Sequence, residues 1–291
     1  MTVASREGYN LERLDVWGEE QRFEVTADRT VAYAKATNDP IESHLRGVVA
    51  PPVFAVVPAM NLMAEATISM VPDPLVFRIL HGEHDFRLHR PIRPGETLSV
   101  RAKPIGIEGK SSGVVVTTLM ETRSTTHDDL VNEQYFIGFF RGGEFDGSVG
   151  TVSPDHTFDE SLRTRDAHYE FVQQFDEDQT YRYAEPAGDP MPIHLDDAFA
   201  KQMGLNGIII HGLCTIAFVS HALIGAVSPG DSSTLKRLAV RLSKPAIPGE
   251  IITTRAWQTQ SKERHVLSFE TAGNEKPGKF VITDGIAEFS S

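Results

Sequence analysis

Apolar residues crowd one segment of the second half of the chain, between positions 208 and 224. They occupy every side of a helical wheel there: Ile208, Ile209, Leu213, Ile216, Ala217, Phe218, Val219, Ala222, Leu223 and Ile224. A helix that is apolar all round is buried in a protein core and does not lie on its surface. The pattern therefore predicts a buried helix, entered through His211-Gly212 from a turn-rich loop.

Alternating, β-branched runs flank this segment and predict strands. The runs are Trp17–Val25, Ser99–Pro104, Gly113–Arg123, Asn132–Arg141, Thr253–Gln258, His265–Thr271 and Lys279–Phe289. Gly and Pro clusters between them are typical of hairpin turns. The chain is thus predicted to be an α+β protein whose helices precede long antiparallel strands.

The same order of features occurs twice. Asp39 and His44 have the spacing of Asp189 and His194, and each aspartate is followed by proline. A basic-Pro-x-x-Pro-Gly-Glu motif also occurs in both halves, at 90–96 and at 244–250. Repeats of this length indicate a duplicated domain and not a solenoid. A segment rich in Gly, Ser, Asp and Pro lies between the copies, so we predict units at 1–150 and 151–291.

The second copy contains the candidate chemistry. Asp189 and His194 lie five residues apart in a loop, so a carboxylate and an imidazole can face one small volume. Gly212 opens the buried helix, and helix N-termini stabilise negative charge. An acid/base pair beside an anion site is what chemistry next to a carbonyl requires.

These residues resemble the signature of the MaoC-like, or type 2, enoyl-CoA hydratases. The matching positions are Gly188, Asp189, Pro192, Ile193, His194, Asp196, His211 and Gly212. Ala187 and Met191 depart from the pattern, where Ser and Asn are usual, so the polar support of the pair is thinner. The resemblance implies a double hot-dog fold, with two curled antiparallel sheets, each around a central helix, joined edge to edge.

The resemblance also implies a reaction, the reversible addition of water to a trans-2-enoyl thioester to give a (3R)-hydroxyacyl-CoA. His194 is the expected base towards water, and Asp189 would hold the same water. Which of the two returns a proton to C2 stays open, because such pairs can titrate as a unit. The Gly212 N–H would face the thioester oxygen.

Further residues are candidates for substrate binding. We assign His211 there, with a purely structural role as the alternative. Arg241 and Lys244 are candidates for the phosphates of CoA, with ordinary solvated charge as the alternative. In the first copy Pro51 and Pro52 replace His-Gly and lack an amide hydrogen, so we interpret Asp39 and His44 as a decayed site.

Two other functions remain open at this stage. Hot-dog folds also host acyl-CoA thioesterases, which need a carboxylate or a Ser/Thr to direct attack at the thioester carbon. A non-catalytic subunit that binds acyl-CoA or acyl-ACP is the second alternative, favoured by Ala187 and Met191. The Asp-to-His spacing and His211-Gly212 fit the hydratase pattern better.

Composition narrows the partners. The net charge of −12 disfavours nucleic acid as a partner, because nucleic-acid binding requires a basic face. Cys214 is the only cysteine and lies in the apolar helix, which predicts a buried thiol in a reducing compartment. No paired His spacing or Gly-rich phosphate loop is present, so we expect neither metal nor cofactor. We expect no membrane association, a pseudo-dimer in one chain with a homodimer possible, and a cytoplasmic location, or peroxisomal if eukaryotic.

Overall fold

The computed structural model describes residues 6–259, 264–276 and 278–290, so positions 1–5, 260–263, 277 and 291 of the two predicted units lie outside it. Its helices are α1 (Ala27–Ala36), α2 (Glu42–Leu45), α3 (Met60–Ile68), α4 (Asp73–Val76), α5 (Gln179–Ala187), α6 (Asp197–Gln202) and α7 (Gly212–Val227). Its strands are β1 (Gln21–Glu24), β2 (Ile79–Leu88), β3 (Thr97–Lys110), β4 (Gly113–Ser124), β5 (Asp129–Arg141), β6 (Ser148–Gly150), β7 (Tyr169–Gln174), β8 (Leu235–Leu242), β9 (Ile251–Thr259), β10 (Arg264–Gly273) and β11 (Phe280–Ser290).

The strands form one antiparallel sheet in the order β1-β3-β4-β5-β2-β8-β11-β10-β9-β7, and β6 pairs with β3 outside this path. The two halves meet where β2 pairs with β8, with Glu83 opposite Arg241 and Arg87 opposite Arg237. The predicted edge-to-edge joining of two sheets is therefore confirmed.

Each half packs its sheet around a central helix, which is the predicted double hot-dog fold. In the second half this is α7, buried at nearly every position from Leu213 to Ile224. The first half has a broken counterpart, in which a 3-10 helix, Pro52–Ala59, runs directly into α3. Pro58 lies at the end of the 3-10 part and has no amide hydrogen to give to an α-helical ladder.

The seam strand β2 was not predicted, because its sequence is polar. His84 and Phe86 face the helices, where their rings stack at 4.1 Å. Asp85 faces the opposite side, where Arg237 of β8 bonds its carboxylate at 2.9 Å. A strand that crosses the middle of the sheet can thus carry charge, provided that the neighbouring strand supplies the counter-ion.

The core is continuous across both halves. One apolar cluster includes Phe54 and Phe86 of the first half together with Phe218 and Phe269 of the second. Cys214 is fully buried within it, as predicted, and burial raises the pKa of its thiol. Within the described ranges, no helix combines the length and apolarity that crossing a membrane requires.

Candidate active site

Asp189 is placed by the end of α5. Gly188 adopts a left-handed conformation with φ of 70°, which is typical of a residue that closes a helix. The N–H of Asp189 then donates to the carbonyl of Ala184 at 2.9 Å and completes the turn. One carboxylate oxygen of Asp189 accepts the N–H of Met191 at 3.3 Å. The loop is therefore held by its own backbone, and the carboxylate points inward from a half-buried position.

His194 is fixed through its backbone and through one ring nitrogen. It ends a short 3-10 turn, and its carbonyl accepts the hydroxyl of Thr180 at 2.6 Å. Its Nδ1 donates to the carbonyl of Ile209 at 2.8 Å, just before α7. Because a carbonyl can only accept, this bond places the proton on Nδ1 of the neutral ring. The lone pair is thus on Nε2, the nitrogen that could take a proton from water.

His211 connects the two segments of the site. Its Nε2 donates to the backbone carbonyl of Asp189 at 3.0 Å, and its ring stacks on His194 with centroids 3.8 Å apart. Tyr183 contacts the ring at 4.9 Å. Nδ1 of His211 is buried and has no hydrogen-bond partner in the part of the chain that the structure describes. His211 thereby holds the Asp189 loop against the start of α7.

The electrostatics of the site favour uncharged side chains. One potential ligand atom of each of Asp189, His194 and His211 lies within 4.8 Å of the other two. Burial raises the pKa of Asp189 and lowers the pKa of His194. Burial also lowers the pKa of His211, to about 3. The pKa values of Asp189 and His194 thus move towards each other, which suits a pair that exchanges protons with one substrate.

The same three residues have donor types that metals use, but their arrangement fits a metal poorly. The planes of the His194 and His211 rings are only 23° apart. The lone pairs of an imidazole lie in its ring plane, so stacked rings direct them side by side and not towards one ion.

Gly212 is the first residue of α7, where N–H groups have no acceptor inside the helix. A Cβ added there would lie 2.4 Å from Cδ1 of Leu242, so any larger residue would require the Leu242 side chain to move. The amide can therefore approach a ligand more closely than that of a larger residue could.

Arg241 and Lys244 line a cleft of about 910 Å³ on the sheet. Arg241 does not join the acid/base pair, because it bonds Glu83 at 2.7 Å and Asp284 at 3.0 Å. Its neighbour Leu242 points the other way, towards Gly212, as alternation along a strand requires. Lys244 is exposed and makes no ion pair within the described ranges.

Two features of the site were missed from the sequence. One is the carbonyl of Ile209, which no side-chain pattern reveals. The other is Tyr183, whose hydroxyl lies 3.2 Å from that of Tyr33, its counterpart 150 residues earlier. A signal for the tyrosines was present, since each lies six residues before the aspartate of its copy.

Family models match both halves of the chain. A MaoC like domain model matches residues 155–277, and a model of the MFE-2 hydratase 2 N-terminal domain matches residues 41–142.

Similar proteins carry hydratase or dehydratase names. The chain is 31% identical to 3-hydroxyacyl-thioester dehydratase Y of Mycobacterium tuberculosis over 72% of each protein. It is 30% identical to the peroxisomal multifunctional enzyme type 2 of Mus musculus over 81% of this chain but 31% of that one. The chain thus spans about a third of the mouse enzyme. A MaoC-like dehydratase structure from Phytophthora capsici superposes with a TM-score of 0.82 at 23% identity, covering 97% of this chain and 99% of the other.

Proposed function

The chain belongs to the MaoC-like dehydratase family, and from that membership we infer that it is an enoyl-CoA hydratase and 3-hydroxyacyl-CoA dehydratase of fatty-acid metabolism. Its reaction is the reversible hydration of a trans-2-enoyl-CoA to a (3R)-hydroxyacyl-CoA. One observation carries the site assignment: a carboxylate oxygen of Asp189 and a ring nitrogen of His194 lie within 4.8 Å of each other, near the start of the buried helix α7.

In hydration, Asp189 and His194 bind one water between them. Nε2 of His194 takes a proton from the water as its oxygen bonds to C3 of the substrate. The electrons of the double bond move towards the thioester, and an enolate oxygen forms. His194 is suited to this role because its Nδ1–H is held by Ile209 and its Nε2 is left as the base.

The Gly212 N–H is proposed to donate to that enolate oxygen, because it lies in the first turn of α7. The Asp189–His194 pair then returns a proton to C2, which completes the product and restores the pair. His211 acts on the substrate indirectly, because its ring nitrogen positions the backbone of Asp189.

We place the phosphates of CoA at Lys244, just past the end of β8, whose ammonium makes no ion pair among the described residues. Arg241 is the weaker of the two candidates, because Glu83 and Asp284 already neutralise it. No metal or cofactor takes part in the proposed reaction. We also propose that one chain suffices for the site and that the protein is cytoplasmic, or peroxisomal in a eukaryote.

The test is to incubate the full chain with crotonyl-CoA and longer enoyl-CoAs. We expect loss of enoyl absorbance without release of free thiol, and a product of 3R configuration in chiral analysis. Thiol release without hydration would indicate a thioesterase. The absence of any reaction at all chain lengths would favour a binding subunit. A 3S product would contradict the proposed orientation of water, carboxylate and imidazole.

A further inference from the structure

The segment between the two copies, residues 151–158, contains neither helix nor strand. We call this segment the strap. It begins after β6, where the N–H of Thr151 donates to the carbonyl of Ile105, on β3, at 2.7 Å. It ends at Phe158, whose ring lies 5.5 Å from that of Trp257, on β9. The strap therefore connects the sheet of the first half to the sheet of the second.

His156 is the residue through which the strap contacts both halves at once. Its Nδ1 lies 2.5 Å from the carbonyl oxygen of Asp284, on β11 of the second half. Its Nε2 lies 3.2 Å from a carboxylate oxygen of Glu83, on β2 of the first half. His156 is only 8% exposed. A carbonyl and an ionised carboxylate can only accept, so both bonds form together only when both ring nitrogens carry a proton.

Irregularities in the sheet turn the two acceptors towards the strap. The pairing of β2 with β5 shifts in register directly before Glu83. The pairing of β11 with β8 is interrupted between Thr283 and Ile286, and Asp284 within this interval has a φ of 53°. Bulges of this kind take a residue out of the hydrogen-bonded ladder and redirect it. The carbonyl of Asp284 is thereby free to accept from outside the sheet.

The charges around His156 balance only when its ring is protonated. Arg241 bonds Glu83 at 2.7 Å and Asp284 at 3.0 Å, so two carboxylates share one guanidinium. An imidazolium supplies the second positive charge. The other charged groups on the elements that pack against the ring are Asp85 and Arg87 of β2, Arg237 of β8, Glu288 of β11 and Asp155 of the strap. The first four of these form ion pairs among themselves, and Asp155 is exposed.

The same contacts shift the titration of both partners. Burial opposes the charge of His156, but its hydrogen bonds to Glu83 and to the carbonyl of Asp284 outweigh burial and raise its pKa above 6.5. Burial also opposes the charge of Glu83, but the hydrogen bond from His156 and the charge of Arg241 lower its pKa below 4.5. The stabilisation from a histidine whose pKa is raised by folding is complete below 6.5 and is lost as the pH rises through the folded-state pKa.

We propose that protonated His156 is a pH-sensitive latch, which fastens the strap to both halves of the sheet and loosens it as the pH rises. The neutral ring can donate from only one nitrogen, so one of its two bonds is lost. Ser153 and Phe158 still bond Glu83 and Asp284, at 3.3 and 3.0 Å, so the strap loosens without detaching. The strap also forms one wall of the 910 Å³ cleft, and the latch therefore sets how firmly that wall is held, whether or not the cleft binds CoA.

The first measurement is the titration of His156 in the full, unmodified chain. Exchange of the ring C2 hydrogen for deuterium, followed by mass spectrometry of the peptide that contains His156, reports its pKa without a substitution. We expect a value above 6.5 in the native protein and a lower value in Glu83→Gln, which removes the charge of one acceptor. A value at or below 6.5 in the native protein would overturn the proposal.

The second measurement is the hydrogen-exchange protection of the Phe158 amide, which donates to Asp284 from the end of the strap. Between about pH 6 and about pH 8, we expect the native protein to lose about tenfold more protection than His156→Gln, because only the native protein loses a charge-assisted hydrogen bond. His127→Gln is the matched control, since this histidine is exposed in the turn between β4 and β5, and it should behave as the native protein does.

The same pH dependence in the native protein and in His156→Gln would contradict the latch. If His156→Gln does not fold, the titration of His156 in the native protein decides the question alone.

Discussion

The two copies use the same three residue types at the same spacing and yet build different sites. Tyr33, Asp39 and His44 in the first copy correspond to Tyr183, Asp189 and His194 in the second. In the first copy the carboxylate binds Nδ1 of its own histidine at 2.7 Å. In the second copy that nitrogen is held by a backbone carbonyl, that of Ile209, at 2.8 Å.

This difference decides what each carboxylate can do. Asp39 is engaged with an imidazole and serves to orient it, whereas no ring nitrogen of His194 is bonded to Asp189. A carboxylate and an imidazole that both stay available can share one water, but a pair bonded to each other acts as a single base. The partner of Nδ1 thus determines the chemistry better than the spacing of the two residues does.

The largest effect is expected when Asp189 or His194 of the second copy is replaced. Asp189→Asn and His194→Gln are each expected to lower kcat for crotonyl-CoA hydration by about 10²–10⁴-fold, the usual contribution of a positioned acid or base. Asp197→Asn is the control, because this nearby aspartate is exposed and pairs with Lys201. A loss of less than tenfold in both site variants would show that hydration occurs elsewhere.

The next largest effect on kcat is expected at Gly212, the first residue of α7. Gly212→Ala places a Cβ against Leu242 and should displace the amide, which we expect to lower kcat about 10²-fold. Leu242→Ala in the same chain removes the contacting methyl groups and should restore part of the rate. If the double variant is no faster than Gly212→Ala alone, the loss of rate does not come from the contact with Leu242.

The tyrosine pair tests how the copies are joined. The two hydroxyls lie 3.2 Å apart in the core, so Tyr33→Phe leaves that of Tyr183 buried without this partner. We expect either single variant to lower the free energy of unfolding by about 1–3 kcal/mol. The double variant should lose less than the sum, and urea denaturation measures all three. Strict additivity would mean that the hydroxyls do not interact.

The smallest effect is that of pH on hydration. Burial lowers the pKa of His194 from its ordinary 6.5 and raises that of Asp189 from 3.8. Neutral His194 and ionised Asp189 both persist at higher pH, so activity is lost only as the pH falls. We expect the acidic limb of kcat/KM to be centred above 3.8, because the pKa of Asp189 is raised, and we expect His194 to add no loss of activity above its ordinary 6.5, because its pKa is lowered. A limb centred at or below 3.8 would contradict the burial of Asp189.

Much of the fold was accessible from the sequence, and the reasons are local. The apolar segment predicted α7, although Ile208 and Ile209 precede the helix because the chain there pairs with other backbone. β3, β4 and β5 begin and end close to the predicted runs, apart from the extension of β3 to Lys110. The domain boundary near residue 150 stays a prediction, as do the catalytic roles.

What the sequence could not provide depends on long-range pairing. The seam strand β2 contains Glu83 and Asp85, which local patterns exclude from the middle of a sheet. Their partners, Arg241 and Arg237, lie more than 150 residues away. The hydrogen bond between His44 and Ser232, at 2.8 Å, could not be predicted for the same reason, since the two residues lie 188 positions apart.

The pairing of β2 with β8 makes the two halves permanent partners within one polypeptide. In an assembly of identical subunits every substitution appears twice, once in each partner. Here a substitution appears once, so Pro52 can lack an amide hydrogen in one copy while Gly212, at the matching position, keeps one in the other. Because the two halves are joined in a single chain, their sequences need not be identical. A substitution in one half therefore leaves the residues of the other half unchanged.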